Sequence, residues 1–248
     1  TMDQNSPDNV FSLIDYLNRE QYGDRPLFRG QTFASPLAER NSRGDEGAPV
    51  YMIKDGKYVV ADHKASYDYQ ACVTFPRMYS NKPAHVEQYK AWSGYTGTNG
   101  QKVMVTKDGE RQVIDIPTGL QNLKFFFSYQ INFMYLRYFM WNFAGRQNDI
   151  QGHGDLTHGN WITGIPAIDN YFYGDQDLLP DPLKRNKGHN VYFMLPLLLG
   201  LAGLFFHAGK NKKDFWVVLL LFFMTGLAIV LYLNQTPLQP RERDYAYA

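Results

Sequence analysis

NVYFMLPLLLGLAGLFFHAGKNKKDFWVVLLLFFMTGLAIVLYL, residues 190–233, holds two long apolar runs separated by five polar residues. Neither run, 190–209 or 215–233, contains Asp, Glu, Lys or Arg. Nineteen residues of helix at about 1.5 Å each extend roughly 28 Å, close to the ~30 Å hydrocarbon core of a bilayer. A helix buried in a soluble protein shows one polar face, and these show almost none. The pattern predicts a transmembrane helical hairpin near the C-terminus: a helix over 189–209, a turn over 210–214 and a helix over 215–234. Pro196, Gly200 and Gly203 favour a kink or close helix packing in the first of them. The turn carries Lys210, Lys212 and Lys213 against one Asp214, and short lysine-rich loops stay in the cytoplasm. Lys184, Arg185 and Lys187, just before the first run, oppose that orientation. The shorter turn decides it, so flanking segments are expected on the outer side.

Whole-chain averages conceal this pattern. Mean hydropathy is −0.40, and 25 basic residues balance 24 acidic ones for a net charge of +1. No nucleic-acid footprint is visible, so nucleic acid is not an expected partner. Aromatic residues reach 16%, including 18 Tyr and 17 Phe, which suits a protein at a membrane interface. The one cysteine, Cys72, leaves no internal disulfide to form. TMDQNSPDN opens polar, without a signal peptide, and RERDYAYA closes as an aromatic run begins. The expectation is an internal slice of a longer polytopic protein, exported by helices outside this chain.

The region 1–118 reads as an extracytoplasmic α+β part. Ser6-Pro7-Asp8 marks a helix start, Val10, Phe11, Leu13, Ile14 and Leu17 its apolar face, and Gly23 its end. Residues 24–49 read as loop. Asp55-Gly56 and Asp108-Gly109 each separate β-rich runs, 50–61 and 102–116, and so predict two hairpins joined in one small antiparallel sheet. Short helices are expected around 84–92. The TFPRMY run at 74–79 reads as an extended or turn piece, because Phe75 precedes a proline.

LQNLKFFFSYQINFMYLRYFMWNF, residues 120–143, is long enough to cross a membrane yet carries Lys124 and Arg137. At 3.6 residues per turn Ser128, Asn132, Tyr135 and Asn142 form one polar stripe. Two readings of 119–146 stay open: an amphipathic helix in the interface, or an embedded helix whose stripe and Arg137 line a cavity. Residues 147–188 form a Gly-, Asp- and His-rich loop on the outer side, with an acidic stretch over 169–182. Within it His153, Asp155 and His158 make an H-x-D-x-x-H pattern, the one place suggesting a divalent metal ion. Two imidazoles and a carboxylate could bind such an ion, but in a loop they are weak evidence for one, and a polar surface loop with satisfied side chains is the default reading. Residues 235–248 lead towards a further helix.

SPDNVFSLIDYLNREQYGDRPL (6–27), LKFFFSYQINFMYLRYFMWNFAGRQNDIQG (123–152), KKDFWVVLLLFFMTGLAIVLYLNQTP (212–237) and QPRERDYAYA (239–248) together resemble a family of polytopic bacterial inner-membrane proteins. That family is glycosyltransferase family 117, of the GT-C superfamily, which is similar to protein O-mannosyltransferases. The resemblance implies an α-helical polytopic membrane protein with an exported region facing the periplasm. It implies transfer of a sugar from a polyprenyl-phosphate donor to a protein or glycan acceptor. The acidic catalytic loop of GT-C enzymes lies nearer the start of such proteins, so no catalytic residue is assigned here. A lipid phosphate needs fixed positive charge at the interface, where arginine's planar fork suits it. Arg137, Arg146, Arg241 and Arg243 stand at predicted membrane boundaries, and Tyr138, Trp141, Trp161 and Tyr245 could offer ring faces to sugar or head group. Ordinary interfacial anchoring accounts for the same arginines. The alternative function is a non-catalytic, membrane-anchored assembly or partner-binding protein of the cell envelope. A transporter is disfavoured, because the two apolar runs carry no midplane charge.

Overall fold

Asp55 and Gly56 both take positive φ, +52° and +71°. Two such residues in succession make the tight turn whose twist matches that of two antiparallel strands. This turn joins β2 (Asp45–Lys54) to β3 (Lys57–Ser66), and Gly109, at φ +81°, stands in the turn between β5 (Gln101–Lys107) and β6 (Glu110–Ile116). The computed structural model describes residues 10–17, 25–38, 45–107 and 109–238. Its architecture is mixed α+β with short β-hairpins and one candidate apolar helix near the C-terminus. The chain divides into two units, Thr1–Lys82 with Tyr95–Asn122, and Pro83–Gly94 with Leu123–Ala248.

In the first unit, α1 (Val10–Leu17) falls within the expected helix, whose cap Ser6 and stop Gly23 lie outside the described residues. Phe11 stacks on Tyr51 at 4.5 Å and meets the edge of Tyr58 at 4.8 Å. The two hairpins do not merge into one sheet; each is a separate two-stranded ribbon. The first ribbon reaches back to Asp45, into the stretch expected to be loop, and its register is irregular either side of Pro49. Proline lacks the N–H that a regular ladder needs there. A third, minimal ribbon pairs β1 (Arg29–Gly30) with β4 (Val73–Thr74).

The core of this unit gathers Met78, Tyr95, Val105 and Ile116. Phe75 turns through a left-handed φ of +54°. Asn122 then bridges the following segment, accepting from Arg77 N–H at 2.9 Å and donating to the Phe75 carbonyl. Gln70 imitates a strand: its Nε2 donates to Thr106 O at 2.7 Å and its Oε1 accepts from Thr106 N–H at 2.8 Å. A single side chain thus satisfies both backbone groups of an edge residue.

The second unit is built on a continuous helical segment, α3 (Gly119–Phe125), a π-helix (Phe126–Leu136) and α4 (Arg137–Phe143). The π turn is registered by Arg137 N–H, which donates to Asn132 O five residues back. α2 (Pro83–Ser93) packs on this segment through rings. Tyr89 meets Phe125 edge-on at 4.9 Å, and Trp92 touches Tyr129 and Phe133 at 5.3 Å each. Phe125, Tyr129 and Phe133 stack in sequence, every fourth residue. The expected polar stripe does not exist as one face. Asn132 and Asn142 are exposed and Tyr135 is buried, while Ser128 returns its hydroxyl to Lys124 O at 2.7 Å. The stripe assumed 3.6 residues per turn, and the π winding breaks that projection.

The C-terminal run forms α7 (Leu195–Lys210), α8 (Lys212–Thr225) and α9 (Leu227–Leu233). Helix begins at Leu195, later than the sequence suggests. Asn190–Val191 instead form β8, paired with β7 (Gly145–Arg146), and Phe193 and Met194 turn sharply with φ of +52° and +57°. Among the described residues one helix, Lys212–Leu233, is long and apolar enough to cross a membrane, with 11% of its apolar window buried. It lies antiparallel to the aromatic helix. Phe222 meets Phe139 at 5.8 Å, Gly226 lies against Tyr135, and Gln130 Nε2 donates to Asn234 Oδ1 at 3.1 Å and Gln235 O at 3.0 Å.

Candidate functional site

The end of the aromatic helix and the strand after it bring together five of the eight residues proposed to bind a lipid-linked sugar. Arg137 opens α4 and is buried. Its Nε donates to Phe133 O and its Nη1 to Gly159 O, both at 2.9 Å. The guanidinium also lies over the rings of Phe133, at 4.4 Å, and Trp141, at 4.6 Å. Two carbonyls and two ring faces thus hold this cation, which fastens the helix to the following loop.

Arg146 is held differently. Its backbone N–H donates to Asn190 Oδ1 at 2.9 Å and its Nε to Gly188 O at 3.0 Å. These two bonds aim the side chain past Trp141, whose ring centroid lies 5.4 Å from the guanidinium carbon. The two terminal nitrogens make no hydrogen bond among the described residues. Trp141 therefore has two guanidinium groups close to its ring, and its indole N–H is buried with no acceptor among the described residues. A buried donor without a partner costs about 1–3 kcal/mol. Tyr138 meets the Trp141 ring edge-on at 5.7 Å. Trp161 bridges to Arg146 through the backbone, and its ring faces Phe172 at 5.7 Å and Tyr173 at 6.1 Å. Arg241, Arg243 and Tyr245 lie outside the described residues.

The loop behind these side chains is a built structure. Gln147, Asn148 and Asn160 are buried, and each side-chain amide is hydrogen-bonded. Asn148 donates to Thr157 O at 2.8 Å and accepts from Gly159 N–H at 2.9 Å. Asn160 donates to Gln147 Oε1 at 3.0 Å and Asp155 O at 2.9 Å. Asp169, also buried, accepts from the Thr163 and Gly164 N–H groups at 2.8 Å each, fixing the entry to α5 (Pro166–Tyr173). The Tyr173 hydroxyl pKa is pushed up, first by burial and then by Asp169, with Arg137 opposing. Sequence reading passed over these amides, because isolated Asn and Gln between glycines carry no periodicity.

The H-x-D-x-x-H residues are only partly gathered. His158 Nδ1 and Asp155 Oδ1 are 2.7 Å apart, and His153 is exposed. Burial works to raise the Asp155 pKa, but the Thr157 N–H, His158 and the Thr157 hydroxyl together hold it below its ordinary value. Among the described residues no three His, Cys, Asp or Glu side chains converge to hold a metal ion.

Together these features define a mixed α+β chain with an exposed apolar helix and an arginine–tryptophan cluster. Residues 23–127 are similar to a family of unknown function, DUF8416, a match covering fewer than half of the residues. No curated protein and no solved structure matches the chain.

Proposed function

We propose that this chain is part of a multi-pass glycosyltransferase of GT-C type in the bacterial inner membrane, with its non-membrane part facing the periplasm. In this reading the Arg146–Trp141 cluster receives the phosphate of a polyprenyl-phosphate sugar donor, and the sugar passes to a protein acceptor. The observation that carries it is the arginine whose Nε is fixed by Gly188 O while its two terminal nitrogens bond to nothing among the described residues, beside the Trp141 ring. A phosphate oxygen supplies what the arginine fork lacks, and charge-assisted bonds gain strength where water is scarce. The membrane setting draws support from the Lys212–Leu233 helix, which is apolar on all sides and mostly unburied. A helix from the core of a globular protein would be covered.

The test is sugar transfer by the full-length protein in lipid vesicles at varied donor concentration. Replacing Arg146 with Ala removes the fork and is expected to weaken donor binding by on the order of 2 kcal/mol, about thirtyfold. Arg146→Lys keeps the charge but not the bidentate geometry, so it recovers only part of the loss. Lysine matching wild type, with alanine changing protein level alone, overturns the phosphate role. A second reading, a partner-binding protein of the envelope, is favoured by one observation. The described side chains of the first hairpin are largely exposed, including Met52, Ile53, Val59 and Val60. Intact, membrane-inserted protein that transfers no sugar from any such donor would favour that reading.

A further inference from the structure

α5 turns some of its apolar side chains outward. Asp169 on its inner face is buried and bonded, whereas Tyr171 is 83% exposed and Phe172 51% exposed. Ile165, just before the helix, is exposed as well. The start of α7 continues this patch with exposed Phe193 and Leu195. The two parts are joined directly: Phe193 N–H donates to Thr163 O at 3.1 Å, and a Cβ placed on Gly164 would lie 3.1 Å from the Phe193 ring. Val191, two residues earlier, pairs with Gly145 in the β7–β8 ribbon. The patch is therefore held rigidly at the level where the exposed apolar helices begin.

We infer that the α5 face, with Ile165, Phe193 and Leu195, is a membrane-surface foot that seats in the head-group boundary of the bilayer and sets the depth at which α7 enters. This inference rests on reading α7 to α9 as membrane-embedded. Three observations choose lipid as the occupant. The patch is continuous with helices whose own surface is bare, from Leu199 on α7 to Leu220 on α8. Its composition is tyrosine and phenylalanine beside aliphatics, the side chains that favour the interface. It also lies at the entry of an apolar helix, where an aromatic belt belongs. α7 alone, 16 residues long, extends about 24 Å. That is shorter than the hydrocarbon core, so a foot that fixes its starting depth has a mechanical consequence.

Nitroxide labels on single cysteines test this in the full-length protein reconstituted in phosphatidylcholine–phosphatidylglycerol vesicles, with Cys72 replaced by serine. Labels at 171 and 172 are expected to collide more with dissolved oxygen than with a water-soluble nickel chelate. The order should reverse at Asp181. Labels at 199 and 220 report on the membrane reading itself and should show the strongest oxygen preference. Nickel access at 171 and 172 equal to that at 181 overturns the foot. So does protection from both reagents, which would mean a protein neighbour covers the face. If 199 and 220 also favour nickel, the membrane reading fails first, and the foot with it.

Discussion

Gly226 interrupts the candidate membrane-spanning helix between α8 and α9, and the packing around it gives a sharp test of the helix pair. A Cβ added there would stand 2.6 Å from Tyr135 Oη, 2.8 Å from Cε2 and 3.0 Å from Cζ. All three atoms belong to one ring, buried to 4% exposure and stacked on Phe139 at 6.4 Å. The ring has little room to yield, so Gly226→Ala forces overpacking and should cost about 1–3 kcal/mol. Tyr135→Ala alone leaves a cavity and should cost about 3–5 kcal/mol. In the double variant the new methyl enters that cavity, and the two losses must not add. A double-mutant cycle on thermal unfolding in detergent reads the coupling, expected to be favourable and to exceed about 1 kcal/mol. A tolerated Gly226→Ala, or strictly additive losses, would refute the antiparallel packing of α9 on the π-helix.

Three further outcomes follow from the same contacts. Gln70→Ala removes both bonds to Thr106 and should raise amide exchange at Thr106 well above the rest of β5, with a loss of about 1–3 kcal/mol; unchanged protection would show the contact is idle. Arg137→Lys keeps the charge but loses the fork that reaches Phe133 O and Gly159 O, so it should destabilise by about 1.5–3 kcal/mol without selectively weakening donor binding, which separates it from Arg146. Because the Asp155 carboxyl titrates below its ordinary value of 3.8, its support for the 153–159 loop is present above that pH and fades as pH falls through the lower, folded value. Loop amide exchange should accelerate in that acid window, and Asp155→Asn should abolish the pH dependence.

Local chemistry made some of this legible in the residues alone. Asp55-Gly56 announces its hairpin because the turn needs two positive φ values, and the Ala84–Trp92 helix follows from its neighbours. Arg137 stands out in the sequence as a charge within an aromatic run, but its carbonyl and ring partners, Phe133, Gly159 and Trp141, are not readable from it. What stayed hidden depends on distant pairing. Asn190 and Val191 read as the start of an apolar helix, yet they pair with Gly145 and Arg146, some 45 residues away. The projected stripe through Ser128 and Tyr135 failed because the backbone winds more loosely than the assumed period. The hairpins stay separate ribbons, and on the edge of β5 it is a side chain, Gln70, that pairs with Thr106 rather than a strand.

Membrane insertion of α7 to α9 underlies every functional statement above, and labelling from outside the cell membrane tests it most directly. Asn211 caps α8 in the lysine-rich turn, and Asp175 caps the short 3-10 turn Gln176–Leu178 in the 147–188 loop. Single cysteines at these positions, in a background lacking Cys72, are exposed to an impermeant thiol reagent in intact spheroplasts and again after permeabilisation. The expected result is labelling at 175 in both conditions and at 211 only after permeabilisation. Labelling at 211 but not at 175 in intact spheroplasts would invert the orientation, and identical behaviour of the two sites would contradict a membrane-spanning hairpin altogether.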